Sequence, residues 1–136
     1  MDDFEYLDIC CSKWELLPED RRTRNQQCVV DVVTAIAIVE GDGLHGLWRD
    51  FDSQMERIVE SFRLAGIEDV ARTLSESWFC REVIAQGMDA EGHWRFSSEQ
   101  DAVLSRMEKQ ISSRAPDARE ALLRFLPQKR GLTKIR

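Results

Sequence analysis

From Cys28 to Val39 nearly every residue is apolar, and the run then breaks into Val39-Glu40-Gly41-Asp42-Gly43-Leu44-His45-Gly46-Leu47-Trp48. A long apolar segment with no internal turn signal reads as one central, mostly buried helix, although its valines and isoleucines would also suit strands. Only Asp31 and Thr34 interrupt it, on a stripe shared with Gln27. A lone buried carboxylate is costly, so Asp31 is expected to find an arginine or backbone partner or to face solvent. Two glycines with two acids after the run predict a tight connection to a second helix, because glycine adopts positive φ at little cost.

The flanks carry helical spacing throughout. Phe4, Leu7, Cys11 and Trp14 fall on one helical face, with Asp2 or Asp3 as N-cap. Pro18 precedes Glu19 and Asp20, which suit a first turn. Phe51, Met55, Ile58, Val59 and Phe62 form the next stripe, closed by Gly66 as a left-handed cap with Ile67 packing back. Glu68 and Asp69 open a helix whose apolar face runs through Val70, Ala71, Leu74 and Trp78 to Val83 and Ile84, ending near Gly87. Residues 88–96 are the one irregular loop. Ser97 and Gln100 fit a capping box, Pro116 restarts a last helix, and Pro127 stops it. The expected architecture is all-α: an irregular bundle of about six helices in one domain over 1–128, with a basic tail over 129–136.

Charge narrows the partners. The chain of 136 residues has a formal net charge of −6, yet Lys129, Arg130, Lys134 and Arg136 stand without an acid at its end. An acidic body repels phosphates, so direct nucleic-acid binding is disfavoured. No apolar run approaches the roughly 20 residues that span a membrane. The opening Met-Asp-Asp-Phe-Glu is acidic where a signal peptide would be basic, so a cytoplasmic protein is expected. Cys10, Cys11, Cys28 and Cys80 lack the spacing of a zinc site; the adjacent Cys10 and Cys11 read as free thiols and Cys28 as a core residue.

No catalytic, metal or cofactor signature is present. His45 and His93 stand in no HExxH-type pattern, and Gly41-Asp42-Gly43 has no preceding strand to make a dinucleotide fingerprint. The acids are more suggestive. Glu40, Asp42, Asp50, Asp52, Glu56 and Glu60 cluster around the glycine connection, and Asp52, Glu56 and Glu60 are spaced i, i+4, i+8. Such a column is locally unfavourable by a few tenths of a kcal/mol per pair, which a basic partner or the neighbouring Arg49, Arg57 and Arg63 would relieve. Of four tryptophans, Trp14, Trp48 and Trp78 fall on apolar faces and are expected in the core. Trp94, in the loop with His93 and Phe96, is either a binding anchor or a lid.

The segment from about Cys28 to Trp78 resembles a bacterial family of small all-helical proteins, catalogued as a domain of unknown function, that includes a DNA-mimic protein. The likeness rests on Gly43, Leu44, Leu47, Trp48, Gly66 and Ala71. It departs from the family's Asn-Gly turn at Gly41-Asp42 and from its glutamine at Gly46. The resemblance implies an all-α fold and allows a homodimer. Through the mimic member it implies a regulator whose acidic surface occupies a DNA-binding protein.

The leading expectation is a non-enzymatic interaction protein that meets a protein partner through Asp42, Asp50, Asp52, Glu56, Glu60 and Trp94. An immunity or antitoxin-like protein capping a toxin, anchored by Trp94, is one alternative. An enzyme with a site near His45 and Asp42, or at His93, is the other.

Overall fold

The computed structural model describes residues 1–128, all helical apart from turns and one isolated β-bridge. The expected basic tail, 129–136, lies outside the described residues. Four long helices carry the fold: α1 (Asp3–Glu15), α2 (Arg24–Phe51), α3 (Met55–Leu64) and α6 (Ser98–Leu122). Two shorter ones, α4 (Glu68–Glu76) and α5 (Phe79–Gln86), make a corner between α3 and α6. The all-α class therefore holds, with fewer principal helices than the sequence suggests. None is long and apolar enough to cross a membrane among the described residues.

α1, α2 and α6 start where the sequence supplies a side-chain acceptor for the free N–H groups of a first turn; α3 has no such cap. Asp2 Oδ1 accepts the Glu5 N–H at 2.8 Å to open α1, and Ser97 and Gln100 form the expected reciprocal box at α6. A second such box, Thr23 with Gln26, starts α2 ahead of the apolar run. Between α1 and α2, Pro18 leads into a 3-10 turn, Glu19–Arg21. Arg22 then reaches back to cap α1, its Nε and Nη2 donating to the Trp14 and Glu15 carbonyls at 3.0 Å each.

α2 is the central element and packs against α1, α3, α5 and α6. Val29, Val32, Ala35 and Ile36 are buried, as the apolar run predicts. Asp31 is buried at 3% exposure but fully partnered. It accepts Arg57 Nε and Nη2 at 3.0 and 2.9 Å, Ser61 Oγ at 2.7 Å and Gln27 Nε2 at 2.8 Å. A buried carboxylate persists only with such compensation, so this cluster fixes the register of α2 against α3. Beside Asp31, the Arg57 guanidinium is held above its usual range, chiefly by the hydrogen bonds to that carboxylate.

α2 does not stay straight. At Gly43 the backbone takes φ 84°, ψ 175°, and helical geometry resumes at Leu44. The expected connection is thus a one-residue break within a helix. The stretch 44–51 then buries Leu44, Leu47 and Trp48. At the end of α3, Gly66 (φ 85°) makes the predicted left-handed cap. The Gly66 N–H donates to the Arg63 carbonyl and the Ile67 N–H to the Phe62 carbonyl, at 2.9 Å each, and Ile67 folds back into the core.

Two boundaries differ from expectation. The helix read as continuous from Glu68 to Gly87 breaks at Ser77, between α4 and α5. The break expected at Pro116 is absent, and α6 runs through it. Pro116 and Ser112, the residue whose carbonyl loses its helical donor, are both exposed, so the break in the hydrogen-bond ladder falls on the solvent side of the helix. The chain closes with Tyr6 Oη donating to the Pro127 carbonyl at 2.7 Å and Arg119 pairing with Asp8 at 2.9 Å.

Candidate functional site

The acids singled out above divide between two clefts and one surface chain. The 3-10 turn Asp52–Gln54 leads directly into α3, which keeps Asp52, Glu56 and Glu60 along one edge. That edge borders a groove of about 480 Å³ whose opposite wall is the α4–α5 corner, with Trp78 and Arg81. Asp52 pairs with Arg81 at 3.1 Å. Glu60 pairs with Arg63, which also reaches Glu68 at 3.4 Å. Glu56 has no cation beside it among the described residues. Relief of the carboxylate column therefore comes from Arg63 and Arg81, not from Arg57, which is committed to Asp31 and Glu19.

Trp78 corrects the sequence reading, which placed it in the core. It is 53% exposed. In an unbroken helix the four-residue step from Leu74 would bury it. Instead, Ser77 Oγ donates to the Leu74 carbonyl at 2.6 Å and accepts the Trp48 indole N–H at 2.8 Å. That pair of bonds ends α4, and the new direction of α5 turns the indole of Trp78 out into the groove. The local sequence hint is the Ser75-Glu76-Ser77 run, since serine competes for backbone hydrogen bonds and weakens helix interiors.

Asp42 and Asp50 stand apart from this groove. Arg49 joins them, contacting Asp50 at 2.9 Å and Asp42 at 3.3 Å. Its hydrogen bonds hold the Asp50 carboxyl below its usual range and push the arginine up. Asp50 lines neither cleft. The six expected contact residues therefore do not form one surface.

The second cleft, of about 640 Å³, lies between the Gly43 break, the loop after α5 and the first turns of α6. His45, His93, Trp94 and Phe96 line it together with Glu40, Asp42, Asp101 and Glu108. The loop is more ordered than its composition suggests. Met88 and Trp94 form a β-bridge, and the Asp89 N–H donates to the His93 carbonyl at 2.8 Å. Asp89 Oδ1 accepts the N–H groups of His93 and Glu91, which hold its carboxyl low. Trp94 is half-buried at the wall of the cleft, its ring 6.4 Å from His45 and tilted by 57°. Phe96 meets His45 edge-on at 6.4 Å and Phe79 at 6.3 Å.

At the break itself, Glu108 Oε2 accepts the Leu44 N–H at 2.7 Å. This caps the second half of α2 from α6, a helix far along the chain. Sequence reading missed Glu108, Asp101 and Arg81, because nothing local shows which distant segments a residue will face.

The chemistry of the second cleft falls short of a catalytic constellation. His93 Nδ1 lies 3.8 Å from Glu91 on the solvent side of the loop. Neither imidazole hydrogen-bonds to Asp42 or to a nucleophile among the described residues. No group of three or more His, Cys, Asp or Glu side chains among the described residues is placed to hold a metal ion. Comparison with protein-family models finds no match, and comparisons with curated proteins and with solved structures find none either.

Proposed function

We propose that this protein is a non-enzymatic interaction module that binds a basic protein segment in the groove between α3 and the α4–α5 corner. The observation that carries the reading is Trp78, a large aromatic side chain left half in solvent beside Asp52, Glu56 and Glu60. Exposed tryptophans framed by polar rims are typical anchors of protein interfaces, and a lysine or arginine entering there meets the uncompensated Glu56 and the indole face together. A DNA-binding protein is the partner class that the family resemblance implies. Its phosphate-binding surface would supply the required cations, with the carboxylates standing in for phosphates.

The test compares tagged wild-type protein, Glu56→Lys/Glu60→Lys and Trp78→Ala as baits in the native host's extract, read by quantitative mass spectrometry. All three positions are exposed, so the variants should fold normally. The expected result is a basic protein held by the wild type at about 50 mM salt, released near roughly 500 mM as screening sets in, and lost from both variants. The same proteins on all three baits, or none on any, overturns the proposal.

A further inference from the structure

The second cleft has a composition that the interaction reading leaves unused. It is walled by four rings, those of His45, His93, Trp94 and Phe96, and by four carboxylates, and among the described residues no lysine or arginine lines it. Glu108 is engaged with the Leu44 N–H and Asp42 with Arg49. Glu40 and Asp101 have no cation beside them among the described residues. The walls come from three separate segments, held by the Gly43 break, the Met88–Trp94 bridge and the capped start of α6. A concave site with aromatic faces and negative charge, and with no lysine or arginine among the described residues that line it, attracts a positive ligand through ring quadrupoles and Coulomb attraction together. The volume, about 640 Å³, falls within the range of small-molecule pockets.

We infer that this cleft is a binding site for an organic ammonium ion, with His45, Trp94 and Phe96 as the aromatic walls and Asp101 and Glu40 as the counter-charges. Methylated ammonium groups fit best, because a weakly hydrated cation leaves water for an aromatic wall more readily than a primary amine does. The same headgroup occurs in a free choline-type molecule and on a trimethylated lysine side chain. The site does not depend on the Trp78 groove, so either reading stands if the other fails.

The test is isothermal titration of the full chain with three probes: choline, an acetylated trimethyl-lysine amide, and 3,3-dimethylbutan-1-ol. The last is the neutral carbon isostere of choline. Saturable binding of either cation within about 10 mM, with no response to the neutral alcohol, is expected. The tighter cation identifies the source. Trp94→Leu and Asp101→Asn should each weaken that binding about tenfold while far-UV circular dichroism and the melting temperature stay near wild type. Absence of saturation with both cations, equal binding of the neutral alcohol, or unchanged affinity in both folded variants overturns the proposal.

Discussion

Replacing Gly43 by alanine tests the most local piece of the structure against the most distant one. Its φ of 84° with ψ of 175° lies in a region almost confined to glycine. Alanine there costs on the order of 1–3 kcal/mol in backbone strain. Its Cβ would also stand 2.5 Å from Glu108 Oε2. Glu108 presents the mobile end of a side chain and would swing aside more cheaply than the backbone would deform. Moving it releases the Leu44 N–H, and a lost N-cap is worth about 0.5–2 kcal/mol. Gly43→Ala should therefore destabilise by about 1.5–5 kcal/mol in urea unfolding followed by far-UV circular dichroism. In a Glu108→Ala background the cap and the clash are already gone, so the same substitution should cost only the backbone part. The double-mutant cycle should return a coupling of about 0.5–2 kcal/mol, the worth of the cap. A Gly43→Ala cost below about 1 kcal/mol would refute the need for positive φ. Additive single effects would refute Glu108 as the cap of the resumed helix.

Arg57→Ala leaves the carboxylate of Asp31 buried with only Gln27 and Ser61. A loss of about 3 kcal/mol is expected from chemical denaturation at neutral pH. Arg57→Lys should recover little of it, because a point charge cannot replace the two-pronged contact. An alanine Cβ at Gly66 meets no atom closer than 4.0 Å. The cost of Gly66→Ala is therefore conformational only, about 1–2 kcal/mol by thermal unfolding. Alkali should unfold the protein through its thiols. Burial pushes Cys11 and Cys80 up to about 12 and Cys28 up to about 11, against 9.0 for a free thiol. Their folded-state pKa values are raised, so the stability they confer is complete below pH 9.0 and is lost as pH rises toward about 11 for Cys28 and about 12 for Cys11 and Cys80. The slope is about 1.4 kcal/mol per pH unit for each thiol, to be measured by urea midpoints between about pH 8 and 10.5. Cys28→Val should flatten that slope, and an unchanged slope would count against the buried-thiol account.

What could be read from the sequence follows from the range of each interaction. Asp2, Ser97 with Gln100, and Gly66 act within a few residues, and their roles are written in local spacing. The Thr23–Gln26 box has the same local signature and lies just outside the apolar run that drew the boundary. Pro116 misleads because a proline's effect depends on whether the freed carbonyl reaches water, and that depends on which face of α6 is exposed. Trp78 misleads because its helix is ended by a serine bonded to Trp48, on a different helix. The site divides the same way. The i, i+4, i+8 spacing does place Asp52, Glu56 and Glu60 along one groove, whereas Arg81 and Trp78 on its far wall come from the α4–α5 corner. Asp42 and Asp50 looked contiguous with the column only because they are close in the chain.

The four buried thiols make this protein its own probe of local opening. Cys10 and Cys11 sit on α1, Cys28 on α2 and Cys80 on α5, all unbridged and shielded. A thiol reagent reaches each one only when its helix parts from the rest, so labelling rates report separate opening free energies along the chain, about 1.4 kcal/mol for every tenfold in rate. If α1 detaches alone, Cys10 and Cys11 label as a pair while Cys28 and Cys80 stay silent. If all four label at one rate, the molecule opens as a single cooperative unit, and the latch of Tyr6 on Pro127 is part of what makes it so.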